Sequence, residues 1–429
     1  MKHLFVTCCL AVSLTLAGCC DEGTQVAEEK ASNVERILQN RSLAASNLYY
    51  YAFDGAEDTP APKGYKPFYI SHYGRHGSRY MDSDVEIRHV RPVLEMADSC
   101  GILTETGKDF CRDMMAVIRE HEGIVGMLTT RGAKELRGMG ERMPERYPEV
   151  FSGRTGRTRV NCMTSSSARC IISMTNFVHG MDRNTDDMDF FFMTGDSYYR
   201  IFAYHPPVQE GLVVSREKEV EFRRTQCKPE ILLNHIFTDV KKVEEAAGDL
   251  FEFERRLYQL CCVGHLTDYG KCLFDYFPEE SLIRNWQARN ARFYLAYAIS
   301  KELPDYQQKV TAPLLKHLVQ TTDAAMSSDS DVAVDLRFGH DVTLMPLLSH
   351  LGIEGMHERL SFDEVNERWN SSDFINMGSN LQMIFYRNRE GHILVKLLHN
   401  EKETVIPALE TCCGPYYRWA DFREYLLSL

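Results

Sequence analysis

The sequence predicts an α/β protein: a doubly wound sheet with helices on both faces and an inserted helical cap. Three observations predict it. Short apolar runs closed by glycine are each followed by a helical pattern. A long stretch rich in Glu, Lys and aromatics then interrupts them, and the strand pattern resumes beyond it.

The first loop is marked by Pro60, Pro62, Gly64 and Pro67. Residues 68–73 then read as a buried strand ended by Gly74. Helical patterns follow over residues 106–119 and 130–147, and residues 159–163 read as a second strand. Ser165, Ser166 and Ser167 offer N-caps for a helix running to Gly180. On it Arg169, Ile172, Ser173, Asn176 and Phe177 share one face. Residues 181–285 carry few strand signals and helical runs such as 243–260, and are assigned to the cap. Residues 332–338 form a strand, Gly339 the turn, and a helix follows with Leu344, Leu347, Leu348 and Leu351 as its apolar stripe. Residues 381–388 and 392–399 form a hairpin through Glu390-Gly391. The domain reading is therefore a signal segment at 1–18, a tether and lead-in at 19–60, an α/β core at 61–180 and 286–429, and the helical cap at 181–285.

The chain has 429 residues, 44% of them hydrophobic and 26% charged, which supports a sizeable core and excludes a disordered or fibrous class. A net charge of −12 disfavours nucleic-acid binding through a broad basic face. It does not exclude an anionic small molecule, because a few arginines in one cleft outweigh a distant acidic surface.

Lys2 and the apolar run from Leu4 to Leu16 read as an export signal too short to span a bilayer. The run closes in Leu16-Ala17-Gly18-Cys19, which resembles the lipobox of bacterial lipoproteins. That resemblance makes Cys19 the lipidated first residue of the mature chain. It implies a protein held to a bacterial membrane, at the periplasmic face or the cell surface, by its lipid anchor only. An oxidising location permits disulfides, but the 14 cysteines, with vicinal pairs Cys261-Cys262 and Cys412-Cys413, fix no pairing. HExxH and GxSxG motifs are absent, so metalloprotease and serine-hydrolase readings start without support.

Two stretches share one design, a strand, a tight glycine turn and then reactive side chains. One is Gly74-Arg75-His76-Gly77-Ser78-Arg79, the other Gly339-His340-Asp341. In open α/β sheets such turns lie where ligands bind, beyond the carboxyl ends of strands. A third, from Ser165 to Arg169, opens a helix whose free N–H groups attract anions. The set suits phosphoryl transfer. Neutral His76 serves as a nucleophile able to carry a covalent intermediate. Arg75, Arg79 and Arg169 offer planar forks for phosphoryl oxygens, and their field keeps His76 unprotonated. His340 adds a further donor, and Asp341 is placed to protonate the leaving oxygen. A bound phosphate dianion would raise the pKa of Asp341, so the rate optimum is expected to be acidic. Arginines here take the neutralising part played elsewhere by Mg²⁺, so neither metal nor cofactor is implied.

These residues resemble the histidine acid phosphatase branch of the histidine phosphatase superfamily. Leu128-Thr129 with Gly132 matches its LTxxG segment, and Thr164, Arg169, Ser173, Phe177 and Gly180 follow its third-arginine helix. Ser379-Asn380-Leu381-Gln382 and Leu398-His399-Asn400-Glu401 are similar to multiple inositol polyphosphate phosphatases. The resemblance implies that His76 is the nucleophile, Asp341 the proton donor, and Arg75, Arg79, Arg169 and His340 the phosphate ligands. It implies inositol polyphosphates such as phytate as substrates; sugar phosphates, a broad range of monoesters, or capture of a phosphorylated ligand without turnover are the alternatives. Where the inositol polyphosphate branch carries His-Ala-Glu, this chain has His340-Asp341-Val342, so the acid is Asp341. Met81 stands where a proline is often found.

Other conspicuous residues have plainer readings. His72, inside an apolar strand, reads as a hydrogen-bonded core histidine. Tyr49-Tyr50-Tyr51 and Phe190-Phe191-Phe192 read as burial rather than stacking platforms. Arg223-Arg224 reads as a solvated pair on a cap helix.

Overall fold

The computed structural model describes residues 31–152, 158–183, 185, 188–203, 210–327 and 329–429. The expected signal segment and Cys19 lie outside the described residues. Eight strands form one sheet: β1 (Lys66–Arg75), β2 (Thr158–Thr164), β3 (Met188–Thr194), β4 (Val332–Gly339), β5 (Asn380–Arg387), β6 (Ile393–His399), β7 (Lys402–Thr404) and β8 (Tyr416–Arg418). Their order is β3-β2-β4-β1-β5-β6-β7, with β8 paired to β6. The pairs β3–β2, β2–β4 and β4–β1 are parallel, while β5 and β6 run antiparallel as the expected hairpin.

The strand pattern explains the layers. Along β1, Tyr69 and Tyr73 point into one apolar cluster with Leu344, Leu347 and Leu348 of the helix Asp341–Leu351. Ile70 points the other way, to a cluster with Leu136, Phe177, Leu336 and Phe338. Alternation along a strand thus gives both faces of a central strand to packed helices. On the second face the helices Thr130–Arg146 and Ala168–Asp182 cross at very close range. A Cβ on Gly140 would overlap the Phe177 carbonyl, and one on Gly180 the Arg137 carbonyl, so two glycines set this approach.

A third apolar cluster departs from the expected domain division. It joins Leu232 and Leu257 of the cap stretch to Trp286, to Val90, Leu94, Phe110 and Met114, and to Ile37, Ala44 and Leu48. The helical layer is therefore built also from the helices Val85–Ser99 and Glu105–Glu120 and from the segment read as a tether. Four further corrections concern the cap. Residues 188–194 are a strand of the main sheet, and residue 285 lies inside the helix Glu279–Tyr297. The run 243–260 is two helices, Val240–Ala247 and Leu250–Gly264, broken at Gly248 with its φ of 79°. Arg223 is buried, donating to Glu219 (2.9 Å) and Asn285 (2.6 Å), whereas Arg224 is exposed beside Asp249.

Two aromatic readings also change. Phe191 and Phe192, on the outermost strand, are about half exposed (51% and 52%), because among the described residues no strand is paired to the outer side of β3. His72 is fully buried, but neither ring nitrogen has a hydrogen-bond partner; the ring packs between Phe177 and Phe338 at centroid distances of 5.3 and 5.2 Å. Burial, assisted by Arg337, pushes its pKa down to about 3. Between that value and the ordinary 6.5 the unfolded chain binds a proton that the folded chain does not. His72 therefore costs nothing above pH 6.5 and destabilises progressively as pH falls below it. Replacing His72 with Phe should flatten the pH dependence of urea unfolding between pH 6.5 and about 4 by up to about 3 kcal/mol. An unchanged slope would mean the ring titrates alike in both states.

Candidate functional site

The two reactive turns meet because β1 and β4 are parallel neighbours in a register that sets Arg75 opposite Gly339 and Gly74 opposite Phe338. β2 ends beside them, with Thr164 opposite Phe338. Backbone bonds fasten the junction: His76 N–H donates to the Gly339 carbonyl (3.1 Å), Arg75 N–H to that of Ser379 (2.8 Å), and Gly378 N–H to that of His76 (3.0 Å). Gly339 is required, since a Cβ there would run into the Tyr73 hydroxyl and the Phe202 carbonyl.

The loop after His76 rests on the start of the helix Thr130–Arg146. Thr129 caps that helix through Gly132 N–H (3.2 Å) and donates from its backbone N–H to the Ser78 carbonyl (2.9 Å). A Cβ on Gly132 would overlap the Ser78 backbone, which accounts physically for the Leu128-Thr129 and Gly132 pattern. Glu135, one turn on, accepts from Ser78 N–H (2.9 Å) and Ser78 Oγ (2.7 Å). Ser173 Oγ, on the helix Ala168–Asp182, accepts from Gly77 N–H (3.1 Å).

His76 is buried, its ring 5.6 Å from that of His340 between centroids. Its Nδ1 lies 2.9 Å from the Gly77 carbonyl oxygen. A carbonyl only accepts, so Nδ1 carries the hydrogen and Nε2 keeps its lone pair. Burial first, then Arg75, Arg169 and Arg79, hold the His76 pKa well below the ordinary histidine value. His340 sits with Nε2 near Ser165 Oγ (3.2 Å) and Ser167 Oγ (3.3 Å), and accepts from Arg169 Nη2 at Nδ1 (3.4 Å). Burial and Arg169 push it down to about 3.

Asp341 opens its helix, with Oδ1 accepting from Val342 N–H (3.0 Å). Its Oδ2 pairs with Arg75 Nη2 at 2.7 Å and accepts from Asn47 Nδ2 at 2.8 Å. Burial alone would raise this carboxyl; Arg75, the Asn47 bond and Arg79 outweigh it and hold the pKa below the usual carboxylate value. The Asp341 carboxyl is therefore held ionised. All six residues singled out from the motifs, Arg75, His76, Arg79, Arg169, His340 and Asp341, thus lie in one place. Asn47, Glu135 and Arg289 were missed. Glu135 was signalled by its place three residues after Gly132; Asn47 and Arg289 had no local signal.

Above this point opens a cavity of about 710 Å³, reaching from Asp341 and Arg79 to Arg216, Arg224 and Arg292. Seven arginines and six carboxylates line it, so its outer wall is nearly balanced. The positive excess sits at the inner end, where Arg75, Arg79, Arg169 and Arg289 act on one another against two carboxylates, Asp341 and, beside Arg79, Asp82 (3.6 Å).

A neutral buried imidazole ringed by guanidinium groups, at the carboxyl ends of parallel strands, defines a histidine site for oxyanions. Residues 234–400 match the model of the histidine phosphatase superfamily (branch 2), and the resemblance drawn from the motifs holds. That span contains Gly339-His340-Asp341; the fold adds the Arg75-His76 turn beside it. The Bifidobacterium longum multiple inositol polyphosphate phosphatase, in complex with inositol hexasulfate, shares the fold with a TM-score of 0.72 and 19% identity, over 89% of this chain and 97% of that one. A phytase from D. castellii matches with a TM-score of 0.65 and 15% identity, over 90% and 84%. A Hafnia alvei phytase in complex with tartrate matches with a TM-score of 0.51 and 13% identity, over 86% and 98%.

Removing one guanidinium tests the electrostatic account. Arg169→Gln should lower kcat/KM by about 10²–10³-fold. It should also move the acid limb of the profile to higher pH, because losing a positive neighbour raises the His76 pKa and the nucleophile must be neutral. Steady-state kinetics across pH check both; an unmoved limb would exclude His76 as the group titrating there.

Proposed function

We propose that this chain is a phosphomonoester hydrolase working through a phosphohistidine, with inositol polyphosphates such as phytate as substrates. The observation that carries the reading is the bare Nε2 of His76 among Arg75, Arg79 and Arg169, with the Asp341 carboxyl in the same site. Nε2 attacks phosphorus, the ester P–O bond breaks, and the leaving oxygen takes the proton of Asp341. Water then attacks phosphorus and gives its proton to the Asp341 carboxylate as the P–Nε2 bond breaks, releasing inorganic phosphate and neutral His76. Arg75, Arg79, Arg169 and His340 bind the phosphoryl oxygens throughout. Asp341 is ionised in the empty site, so it must take up a proton with the substrate; the dianion supplies the cause, and an acidic optimum follows.

For the substrate class, the support is the cavity, whose volume falls in the range that holds a multiply phosphorylated ring. The inositol hexasulfate complex and the phytases among the fold relatives favour the same class. We also propose export and lipid anchoring through Cys19, on the strength of Leu16-Ala17-Gly18-Cys19. Among the described residues no helix is long and apolar enough to cross a membrane.

Phosphate release from phytate, sugar phosphates and an aryl phosphate tests the proposal. Activity should be highest on phytate under acid and unaffected by EDTA, and acid-labile phosphoprotein should not form in His76→Ala, which should still bind phosphate. Asp341→Asn should slow phytate by about 10²–10⁴-fold but spare the activated aryl ester. No turnover of any monoester would refute the assignment; phytate as the poorest substrate would refute only the substrate class. Cys19→Ala should move the protein from the membrane to the soluble fraction.

A further inference from the structure

Asn47 belongs to the short 3₁₀ segment Arg41–Leu48, in the part of the chain that composition marks as a tether. It is buried, and each of its side-chain polar atoms and its carbonyl is committed to the site. Nδ2 donates to Asp341 Oδ2 (2.8 Å), Oδ1 accepts from Arg289 Nη2 (2.7 Å), and the carbonyl accepts from Arg75 Nη1 (2.5 Å). The preceding residue, Ser46, has φ 62° and ψ −130°, a conformation rare for a side chain-bearing residue. It is held there by burial and by the contact of its Oγ with Ser371 Oγ (2.6 Å).

Arg75 divides its work unequally. Nη1 is spent on two backbone carbonyls, of Asn47 and of Ile375 (2.8 Å). Nη2 faces Asp341 and is the end left to meet a phosphoryl oxygen. When it does so, Asn47 is the side chain that still holds Asp341. The difference in charge matters. A guanidinium favours the carboxylate and opposes protonation, whereas a neutral amide N–H can donate to Oδ2 of either the carboxylate or the carboxylic acid. With Oδ2 so held, Oδ1, whose one donor among the described residues is the Val342 N–H (3.0 Å), is the oxygen left to carry the transferable proton.

We propose that Asn47 is the positioning residue of the proton donor, orienting Asp341 through Oδ2 while Arg75 is engaged with the phosphoryl group. This rests on the reading of Asp341 as the acid. The other charged or titratable groups facing Asp341 are Arg75 and Arg79 from β1 and its loop, His340 beside it, Tyr73 of β1, and Cys170 of the helix Ala168–Asp182. Arg289, from the helix Glu279–Tyr297, reaches it through Asn47.

The experiment compares the wild type with Asn47→Ala, the isosteric Asn47→Asp, Asp341→Asn and the double variant Asn47→Ala/Asp341→Asn, on phytate and on 4-nitrophenyl phosphate. Asn47→Ala should lower kcat on phytate about tenfold or more, with KM nearly unchanged and with little effect on the aryl ester. The basic limb of its phytate profile should move to higher pH: the acid works protonated, and deleting a donor to the carboxylate raises its pKa. Asn47→Asp keeps the shape but removes the donor, and should move the limb at least as far. In the double variant the Ala substitution should add no further loss. Equal slowing of both substrates by the Asn47 variants, an unmoved basic limb, or a full additional loss in the double variant would overturn the proposal. If Asp341→Asn itself slows both substrates equally, it is the assignment of the acid that fails.

Discussion

The parallel pairing of β1 with β4, in the register that sets Arg75 against Gly339, is the constraint on which the rest depends. It converts two turns remote in sequence into one surface, and the bond from His76 N–H to the Gly339 carbonyl fixes their separation. Shifting a strand by one residue would turn its side chains to the opposite face. The close packing around Gly77, Gly132 and Gly339 leaves little freedom for such slippage.

On that frame the chemistry is mainly a matter of charge held out of water. His76 and His340 are buried, and burial is the largest cause acting on each. The neighbouring guanidinium groups push the same way, so the two imidazoles stay neutral without a carboxylate to orient them. Asp341 shows the opposite balance, since burial would neutralise it and the arginines keep it charged. One set of cations thus acts on the protonation of His76 and of Asp341 alike, and on the proposed reading an incoming dianion would act on both at once.

Much of this was legible from the sequence because its signals are local. A strand, a glycine turn and a helix start can be read from consecutive residues, so β1, β2 and β4 and the six motif residues could be named. Gly180 and Phe177 were legible for the same reason, lying on one helix face with Ser173. What escaped is non-local. The helical layer draws its core from residues 37–48, 87–118 and 232–286, and no compositional boundary follows such a set. β3 was hidden inside a stretch read as helical, and its three phenylalanines were taken for core because the outer position of the strand is a property of the sheet. Asn47 carries no motif at all: its partners are Arg75, Arg289 and Asp341, and its presence depends on how the lead-in segment packs. His72 was expected to have a polar partner, and aromatic enclosure took its place.

The ion pair between Arg75 and Asp341 gives the site a built-in counter-ion. Occupancy by an anion and ionisation of the acid are alternatives competing for the same Nη2 edge. In the proposed cycle, hydrolysis of the phosphohistidine leaves Asp341 protonated beside orthophosphate, and ionisation of that carboxyl would make it a rival of the product for the edge. On that reading the protein carries its own displacing ligand, and loss of the Asp341 proton is coupled to ejection of the product.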